Sequence, residues 1–303
     1  LVAETLERLE IKHAFGIIGA GNVHLFESIA KRGYTEIICV HHEQAAVMAM
    51  QTYYRTSGKL AAALVTTGGG SSNAVTGVLS AWADSIPGIV IAGNENSKHT
   101  LPYNPIRMWG VQGFDSVDMV KKMTKYANRV TVPERTVYEL EKAAYISLDQ
   151  RPGPVWIEIP MDIQSSFVVQ EQCSSYSPPL PKDYITEQLK SQIDSVTASL
   201  FKAQRPVLWL GHGIRLANAQ YKLNGFLKRL NIPALISWAG IDMVDSQHPL
   251  VYGRAGVYGQ RSANFVLQNS DYVLAIGTRM DLPQIGYNPS ELARAATIDV
   301  VDI

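Results

Sequence analysis

One glutamate, Glu43, combines a residue type that can move protons with a position typical of a functional site. It follows the apolar run 37–40, which predicts a buried strand, and it opens an Ala- and Met-rich stretch that favours a helix. Ligands of open α/β sheets bind beyond the carboxyl ends of the strands, so Glu43 would face such a site. The preceding His42 is typical of a zinc motif, but Ala46 stands where HExxH requires its second histidine. The alternative interpretation is a carboxylate that only stabilises the helix N-terminus.

Two glycine-rich turns in the first half of the chain have the form of ligand-binding loops. The turn 18–24 is similar to a dinucleotide fingerprint, but His24 occupies the third glycine position, which disfavours a nicotinamide-dependent oxidoreductase. The loop 66–73 lacks the Gly-Lys of a P-loop, although a helix starting there would still offer free N–H groups. Ordinary tight turns would explain both. The candidate binding residues are Gly19, Ala20, Gly21, Asn22, Thr67, Gly70, Ser71 and Asn73.

Three more glycine turns follow apolar segments in the second half of the chain. They lie at 211–215, 253–259 and 277–281. Three such turns in one domain are typical of a nucleotide cofactor site, because a glycine backbone allows close approach to phosphate groups. Each turn taken alone is also explained as an ordinary loop.

Short apolar runs alternate with helix-forming stretches over most of the chain, and this pattern predicts parallel sheets covered on both faces by helices. We therefore predict an α/β fold with two doubly wound parallel-sheet domains. The first spans residues 1–165, and residues 166–184 lose the pattern and form a linker. The second spans residues 185–303 and is expected to be incomplete at its carboxyl end. Single helices are predicted over 72–83 and 216–230.

Charge and composition exclude several classes of partner. Lys plus Arg and Asp plus Glu both number 27, so no long-range positive field is available to attract nucleic acid or an anionic membrane. The basic stretch 121–129 is predicted to be a solvated helix face. No apolar run has the length of a transmembrane helix, and the chain starts without Met or a signal peptide. We expect a cytoplasmic protein, without membrane or nucleic-acid partners, of which this chain is a fragment.

The cysteines and histidines do not indicate a metal or disulfide framework. Cys39 and Cys173 are the only cysteines, they are far apart, and no CxxC pair exists. Cys39 lies inside an apolar run and is predicted to be a buried, small hydrophobic residue. The seven histidines show no metal-ligand spacing, so no protein metal site is predicted.

Five strings of the first half, taken in order and with their spacing, resemble the pyrimidine-binding domain of thiamine-diphosphate-dependent enzymes of the acetolactate synthase/2-oxo-acid decarboxylase superfamily. They occupy residues 15–21, 42–46, 66–73, 84–87 and 151–160. Residues 185–303 are similar to the central domain of the same superfamily. The residues that match its cofactor turns and strand end are Gly211, Gly213, Gly256, Gly277, Arg279 and Asp299.

The resemblance implies a cofactor and a role for Glu43. In this superfamily, the glutamate at the position of Glu43 hydrogen-bonds N1′ of the aminopyrimidine of thiamine diphosphate. Diphosphate and Mg²⁺ are bound by a third domain through a Gly-Asp-Gly motif, and that motif does not occur in this chain. The isolated chain is therefore expected to be inactive. The resemblance also implies a homodimer or tetramer, and it leaves open whether the central domain binds FAD.

The resemblance further implies a 2-oxo acid substrate such as pyruvate, with either acyl transfer to an acceptor or simple decarboxylation. Phe114 and Lys125 match substrate-site residues of the superfamily. The glutamine that follows this phenylalanine in acetolactate synthases is absent here, but Gln112 lies close by. The stretch 98–113 is unusual and is predicted to line a substrate channel, which is consistent with an acceptor larger than pyruvate, such as a keto-sugar. A non-catalytic nucleotide-binding module remains the alternative from a different class.

Overall fold

A computed structural model describes residues 1–100, 107–180 and 185–303. The described chain divides after Leu180 into two units, each with its own parallel sheet. Residues 166–180 belong to the first unit, where the ring of Tyr176 contacts those of Tyr138 and Tyr145 at centroid distances of 5.5 and 5.7 Å. The domain boundary at residue 165 stays a prediction. Tyr103, in the predicted substrate channel, lies outside the described residues.

The first unit contains a six-stranded parallel sheet in the order β2-β1-β3-β4-β6-β5. Its strands are β1 His13–Gly16, β2 Glu36–Cys39, β3 Ala62–Val65, β4 Gly88–Asn94, β5 Tyr126–Arg129 and β6 Pro154–Pro160. Every residue of β3, β4 and β6 is buried, as expected for continuous apolar strands covered on both faces. Two hydrophobic clusters, built around Leu6, Ile89 and Leu140 on one side and Val47, Val90 and Trp156 on the other, form the core.

Helices cover the sheet of the first unit. They are α1 Val2–Arg8, α2 Val23–Arg32, α3 Glu43–Ser57, α4 Gly69–Asn73, α5 Val75–Ala83, α6 Ser116–Val120, α7 Thr136–Leu148 and α8 Met161–Gln164. Gly33 and Gly58 end α2 and α3 in the left-handed conformation, with φ of 72° and 69°. The single helix predicted over 72–83 is replaced by α4 and α5, which are separated at Ala74.

The second unit contains a four-stranded parallel sheet in the order β10-β9-β7-β8. Its elements are α9 Glu187–Lys202, β7 Pro206–Leu210, α10 Gly213–Leu216, α11 Leu223–Leu230, β8 Ala234–Ile236, α12 Arg261–Gln268, β9 Tyr272–Ile276, α13 Leu282–Ile285 and β10 Thr297–Val301. The helix predicted over 216–230 is interrupted between α10 and α11, where Asn218 adopts a left-handed φ of 51°. The predicted fold class, two doubly wound parallel sheets, is confirmed.

Two local predictions were wrong, both on strands at a sheet edge. The basic stretch is not a helix face, because its last part forms β5 and the Arg129 side chain is only 13% exposed. Cys39 is exposed rather than buried, since it ends β2, the outermost strand of the sheet among the described residues. Apolar and charged patterns predict a strand or helix face, but they do not say which strand lies at the edge.

The described residues contain neither a membrane-spanning helix nor a cluster of metal-ligand side chains. No helix there is long and apolar enough to cross a membrane. No cluster of three or more His, Cys, Asp or Glu side chains in the same residues could hold a metal ion. Cys39 and Cys173 are free thiols.

Candidate functional site

The strand order of the first sheet creates a crevice at the carboxyl ends of β1 and β3. After β1 the chain forms β2, which pairs on one side of β1. The chain then crosses over and forms β3, which pairs on the other side of β1. The loops that leave β1 and β3 therefore diverge, which is the topological switch point where doubly wound sheets bind ligands. The turn 19–22 follows β1, the loop 66–70 follows β3, and Glu43 follows β2. Sheet topology thus brings together the residues that the sequence had separated.

Glu43 is a buried carboxylate at the start of α3, with 7% of its surface exposed. Its Oε2 accepts a hydrogen bond from Asn73 Nδ2 at 3.0 Å. Its Oε1 lies beside Gly70, where an added Cβ would come within 3.0 Å of that oxygen. The imidazole of His42 caps α3 by accepting from the N–H of Gln44 at 3.2 Å. Glu43 is therefore the first residue of a helix whose N-terminus is capped by its neighbour.

The turn 19–22 is packed directly against the loop that follows β3. The N–H of Gly19 donates to Asn22 Oδ1 at 2.8 Å, and the N–H of Gly21 donates to Thr66 Oγ1 at 3.2 Å. A Cβ on Gly21 would collide with Thr67 Oγ1, so only glycine allows the two backbones to approach this closely. Ala20 is the exposed member of the turn.

The loop 66–70 is held by its own polar groups. Ser71 Oγ donates to Thr66 O at 2.8 Å, and the N–H of Gly70 donates to Thr67 O at 3.3 Å. Thr67 and Ser71 are buried, with 3% and 1% of their surfaces exposed. A Cβ on Gly70 would lie 2.5 Å from Thr66 Cγ2 and also close to Glu43. Because Gly70 has no side chain, the space beside the carboxylate of Glu43 stays open, and this surface at Gly70 is called the glycine floor.

Gln112 and Phe114 lie on a segment that contacts the same loop. Gln112 Nε2 approaches Thr67 O at 3.4 Å, and a Cβ on Gly68 would lie 2.7 Å from Gln112 O. Phe114 O accepts from Asn94 Nδ2 at 2.9 Å. Two of the three residues predicted from the substrate resemblance, Gln112 and Phe114, are therefore close to the crevice.

Lys125 is not brought to this crevice within the first unit. Its N–H donates to Pro154 O at 2.9 Å, and Pro154 is the first residue of β6. The side chain donates to Asp149 O, at the edge of the sheet opposite the carboxyl ends. Burial lowers the pKa of Lys125. The string match that selected Lys125 cannot tell one end of a strand from the other, which explains the difference.

Three polar residues near the crevice were missed by the sequence analysis. Asn94 ends β4, and the next residue, Glu95, accepts hydrogen bonds from the N–H groups of Val111 and Gln112 at 3.2 and 3.4 Å. Gln164 Nε2 donates to Gly21 O at 2.7 Å. One available signal was that Asn94 and Glu95 follow the buried apolar run 88–92, and polar residues at the carboxyl end of a parallel strand lie at the ligand-binding edge.

A buried ionic network lies behind the segment 107–116. Glu158, which is fully buried in β6, accepts from Arg129 Nε and from Ser116 Oγ. Arg129 also donates to Asp115 Oδ1 at 2.9 Å, and its guanidinium lies 4.8 Å from the ring centroid of Trp109. Burial raises the pKa of Glu158, and the Arg129 guanidinium opposes that shift. The network fastens both ends of the segment that carries Gln112.

The second sheet has its own switch point between β7 and β9, and three predicted glycines meet there. The N–H of Gly211 donates to Ile276 O at 2.8 Å, and the N–H of Gly213 donates to Gly277 O at 2.8 Å. Gly277 has a left-handed φ of 59°, and a Cβ on it would lie 2.7 Å from Ile214 N. The close backbone contact at the carboxyl ends of β7 and β9 therefore requires glycine, as in nucleotide-binding turns.

The other residues predicted in the second unit are placed differently. Gly256 exchanges two hydrogen bonds with the Asn264 side chain, at 2.8 and 2.9 Å. Arg279 is exposed after β9. Asp299 lies in the middle of β10 and not at its end, and its carboxylate accepts from Tyr272 OH at 2.5 Å. The acidic residue that follows the strand end is Asp302, which was not selected from the sequence because the family resemblance pointed to Asp299.

Comparisons with known proteins agree with this geometry. Residues 1–119 match the family model described as "Thiamine pyrophosphate enzyme, N-terminal TPP binding domain", and residues 193–303 match "Thiamine pyrophosphate enzyme, central domain". The acetolactate synthase large subunit of Haemophilus influenzae is 32% identical over 282 residues, which cover 93% of this chain and 48% of that protein.

Two further relatives give the same result. The acetolactate synthase large subunit of Lactococcus lactis is 28% identical over 306 residues, covering 100% of this chain and 51% of that protein. The large subunit of Escherichia coli acetolactate synthase isozyme 1 is 30% identical over 303 residues, covering 99% and 51%. The chain therefore spans about half the length of the curated relatives it matches, as their coverage of 48–51% shows.

Proposed function

The chain belongs to the thiamine pyrophosphate enzyme family, of which it carries the N-terminal TPP binding domain and the central domain, and we propose that it forms part of an enzyme that decarboxylates a 2-oxo acid such as pyruvate and transfers the acyl unit to an acceptor. The acetolactate synthase large subunits that resemble it over nearly its whole length support this reaction class. We propose Glu43 as the catalytic residue.

The crevice of the first unit fits the aminopyrimidine of thiamine diphosphate. A carboxylate has about four lone-pair positions, and Asn73 uses one of those on Oε2 of Glu43. Oε1 faces the open floor at Gly70, where a ring nitrogen could hydrogen-bond to it. The turn 19–22 and the loop 66–73 would form the walls around the ring. This combination of a buried carboxylate and a glycine floor is the observation that carries the proposal.

Glu43 would hold a proton at N1′ of the pyrimidine ring. Bound thiamine diphosphate supplies a carbon nucleophile and an electron sink for the decarboxylation of a 2-oxo acid. Asn73 keeps the carboxylate oriented through its hydrogen bond, and Glu43 lies in the first turn of α3. Burial excludes water from the carboxylate, which strengthens its hydrogen bonds.

The reaction class is tested on the intact protein supplied with thiamine diphosphate, Mg²⁺ and pyruvate, by measuring CO₂ release and identifying the product. We expect CO₂ together with a carboligation product, whose structure identifies the acceptor. Acetaldehyde as the sole product would favour the alternative, a simple decarboxylase. If a panel of 2-oxo acids yields no CO₂, the proposal is contradicted and a non-catalytic nucleotide-binding module becomes the better interpretation.

The remaining partners follow from the family resemblance and are proposals of the same kind. We propose that diphosphate and Mg²⁺ are bound by a third domain and that the protein acts in the cytoplasm as a homodimer or tetramer. The pyrimidine-binding domain of one subunit would then face the diphosphate-binding domain of another. The predicted domain division, 1–165, 166–184 and 185–303, belongs to this proposal. Small 2-oxo acids are the proposed substrates, with Gln112 and Phe114 beside them.

For the second unit we propose FAD as the cofactor. The support is the switch point between β7 and β9, where Gly211, Gly213 and Gly277 allow the two loops to approach closely at the carboxyl edge of the sheet. We expect the purified intact protein to release flavin on denaturation, and the flavin is detected by its fluorescence. One site per chain would give about one equivalent of flavin per chain. Protein that remains colourless after incubation with FAD and gel filtration would contradict this proposal without affecting the one for the first unit.

A further inference from the structure

The turn that carries Gln112 is fastened at its tip by one carboxylate, that of Glu95. Trp109 and Gly113 exchange two backbone hydrogen bonds of 2.7 Å, which close a tight turn between them. At the tip of the turn, Glu95 Oε1 accepts from Val111 N at 3.2 Å and from Gln112 N at 3.4 Å. Hydrogen bonds to an ionised acceptor are roughly twice as strong as neutral ones, so this contact orients the tip.

Glu95 is itself held in place by the sheet. It directly follows β4, and its N–H donates to Asn94 Oδ1 at 2.9 Å. Asn94 Nδ2 donates to Phe114 O at 2.9 Å. Glu95 therefore binds the tip of the turn, and the adjacent Asn94 binds its base. Gly110 has a φ of 56°, and a Cβ on it would lie 2.5 Å from Glu95 Oε2, which shows how closely the carboxylate approaches the turn.

The position of the turn decides where the Gln112 side chain lies. Its Nε2 is directed to Thr67 O at 3.4 Å, in the loop that borders the glycine floor beside Glu43. A side-chain amide carries two N–H donors, and Thr67 O can accept only from one of them. The exposed Gln112 side chain therefore has a second donor for a ligand bound at the same edge of the sheet.

We propose that Glu95 is a positioning residue, which holds the turn so that Gln112 donates a hydrogen bond to the carboxylate of the 2-oxo acid substrate. This inference rests on the function proposed above. A carboxylate is the substrate group that a side-chain amide N–H binds through a charge-assisted hydrogen bond. Glu95 acts through Gln112 and does not touch the substrate.

The kinetic test uses the intact protein with thiamine diphosphate and Mg²⁺. Glu95→Ala is expected to raise KM for pyruvate by about 10-fold, the loss of one charge-assisted hydrogen bond, with kcat within about 3-fold. Glu95→Gln retains a carbonyl oxygen as acceptor and is expected to recover most of that loss. Glu171→Ala, which removes an exposed carboxylate elsewhere in the first unit, is the matched control and is expected to leave KM unchanged.

A double variant separates positioning from a general structural effect. If Glu95 acts through Gln112, the KM of Glu95→Ala/Gln112→Ala equals that of Gln112→Ala alone. Additive effects of the two substitutions would overturn the proposal. So would a fall in kcat that exceeds the change in KM.

Hydrogen exchange provides a readout that does not depend on turnover. We expect the Val111 and Gln112 amides to exchange at least about 10-fold faster in Glu95→Ala than in the wild type or in Glu171→Ala. Unchanged exchange would refute the anchoring by Glu95, whatever the kinetics. If exchange accelerates but the wild-type protein consumes no 2-oxo acid, the anchoring stands, whereas the proposed function and the role of Gln112 toward its substrate both fail.

Discussion

Glu43→Gln is expected to reduce kcat of the intact protein for a 2-oxo acid by about 10²–10⁴-fold, the contribution typical of a positioned proton-transfer group. The substitution preserves the size of the side chain and keeps an oxygen that can accept from Asn73, so the fold around α3 should persist. It removes the carboxylate that would hold a proton at N1′ of the cofactor. The expected loss is therefore in kcat, measured as CO₂ release under saturating thiamine diphosphate and Mg²⁺.

A matched control distinguishes this loss from a nonspecific effect. Glu27→Gln makes the same chemical change on the exposed face of α2 and is expected to leave turnover unchanged. Thermal unfolding of both variants should match that of the wild type. Turnover of Glu43→Gln within about 3-fold of the wild type would show that Glu43 is not the proton-transfer group, because such groups contribute at least about 100-fold.

Arg129→Met is expected to lower the free energy of unfolding of the first unit by about 3–5 kcal/mol, the cost of leaving a buried charge without its partner. Glu158 is fully buried, and it accepts from Arg129 and Ser116. Methionine retains the length of the arginine stem but provides no cation. The measurement is urea denaturation followed by pulse hydrogen exchange. Exchange in peptides from β5 and β6 reports the unfolding of the first unit separately from that of the second.

A double variant and a surface control test the cause of that loss. Arg129→Met/Glu158→Gln removes both charges and is expected to be more stable than Arg129→Met alone, because no uncompensated charge remains buried. Lys121→Ala removes an exposed ion pair with Asp118 and is expected to cause no measurable change. A double variant that is no more stable than the single one would contradict the electrostatic explanation.

The loss caused by Arg129→Met should depend on pH. Burial raises the pKa of Glu158 above its unfolded value, so the folded chain binds more protons than the unfolded chain between the two pKa values. The contribution of Glu158 to stability therefore falls as pH rises through that window. Without the arginine, burial acts unopposed and the window extends upward. We expect Arg129→Met to be less destabilising at about pH 5 than at about pH 8, and the opposite order would contradict this assignment.

Local sequence patterns predicted most of the elements of the chain and the first part of the site. The apolar run 37–40 and the helix-forming stretch after it placed Glu43 at a strand-to-helix junction, and the structure has α3 beginning at that residue. Gly33 and Gly58 end α2 and α3 in the left-handed backbone conformation that glycine adopts freely, which is a local preference of this residue type. Such features depend on a few consecutive residues, so they can be predicted without knowledge of the rest of the fold.

Contacts between distant residues could not be predicted in this way. Glu95 accepts a hydrogen bond from the N–H of Val111, which lies 16 positions further along the chain. Arg129 pairs with Glu158 because β5 is the neighbour of β6 in the sheet. Lys125 matched a family string but lies at the opposite edge of the sheet from Glu43. Strand order and strand direction decide all three, and neither is encoded in any short segment.

The sequence by itself determined the fold class, the identity of the candidate carboxylate and the glycine turns around it, because hydrophobic periodicity and glycine backbone preferences act locally. Tertiary structure alone decided that these turns meet at two switch points, that Asn73 and Gly70 flank Glu43, and that Tyr272 contacts Asp299. The physical reason is that a parallel sheet joins the carboxyl ends of strands that are far apart in sequence, so the ligand-binding edge exists only after the strands have paired.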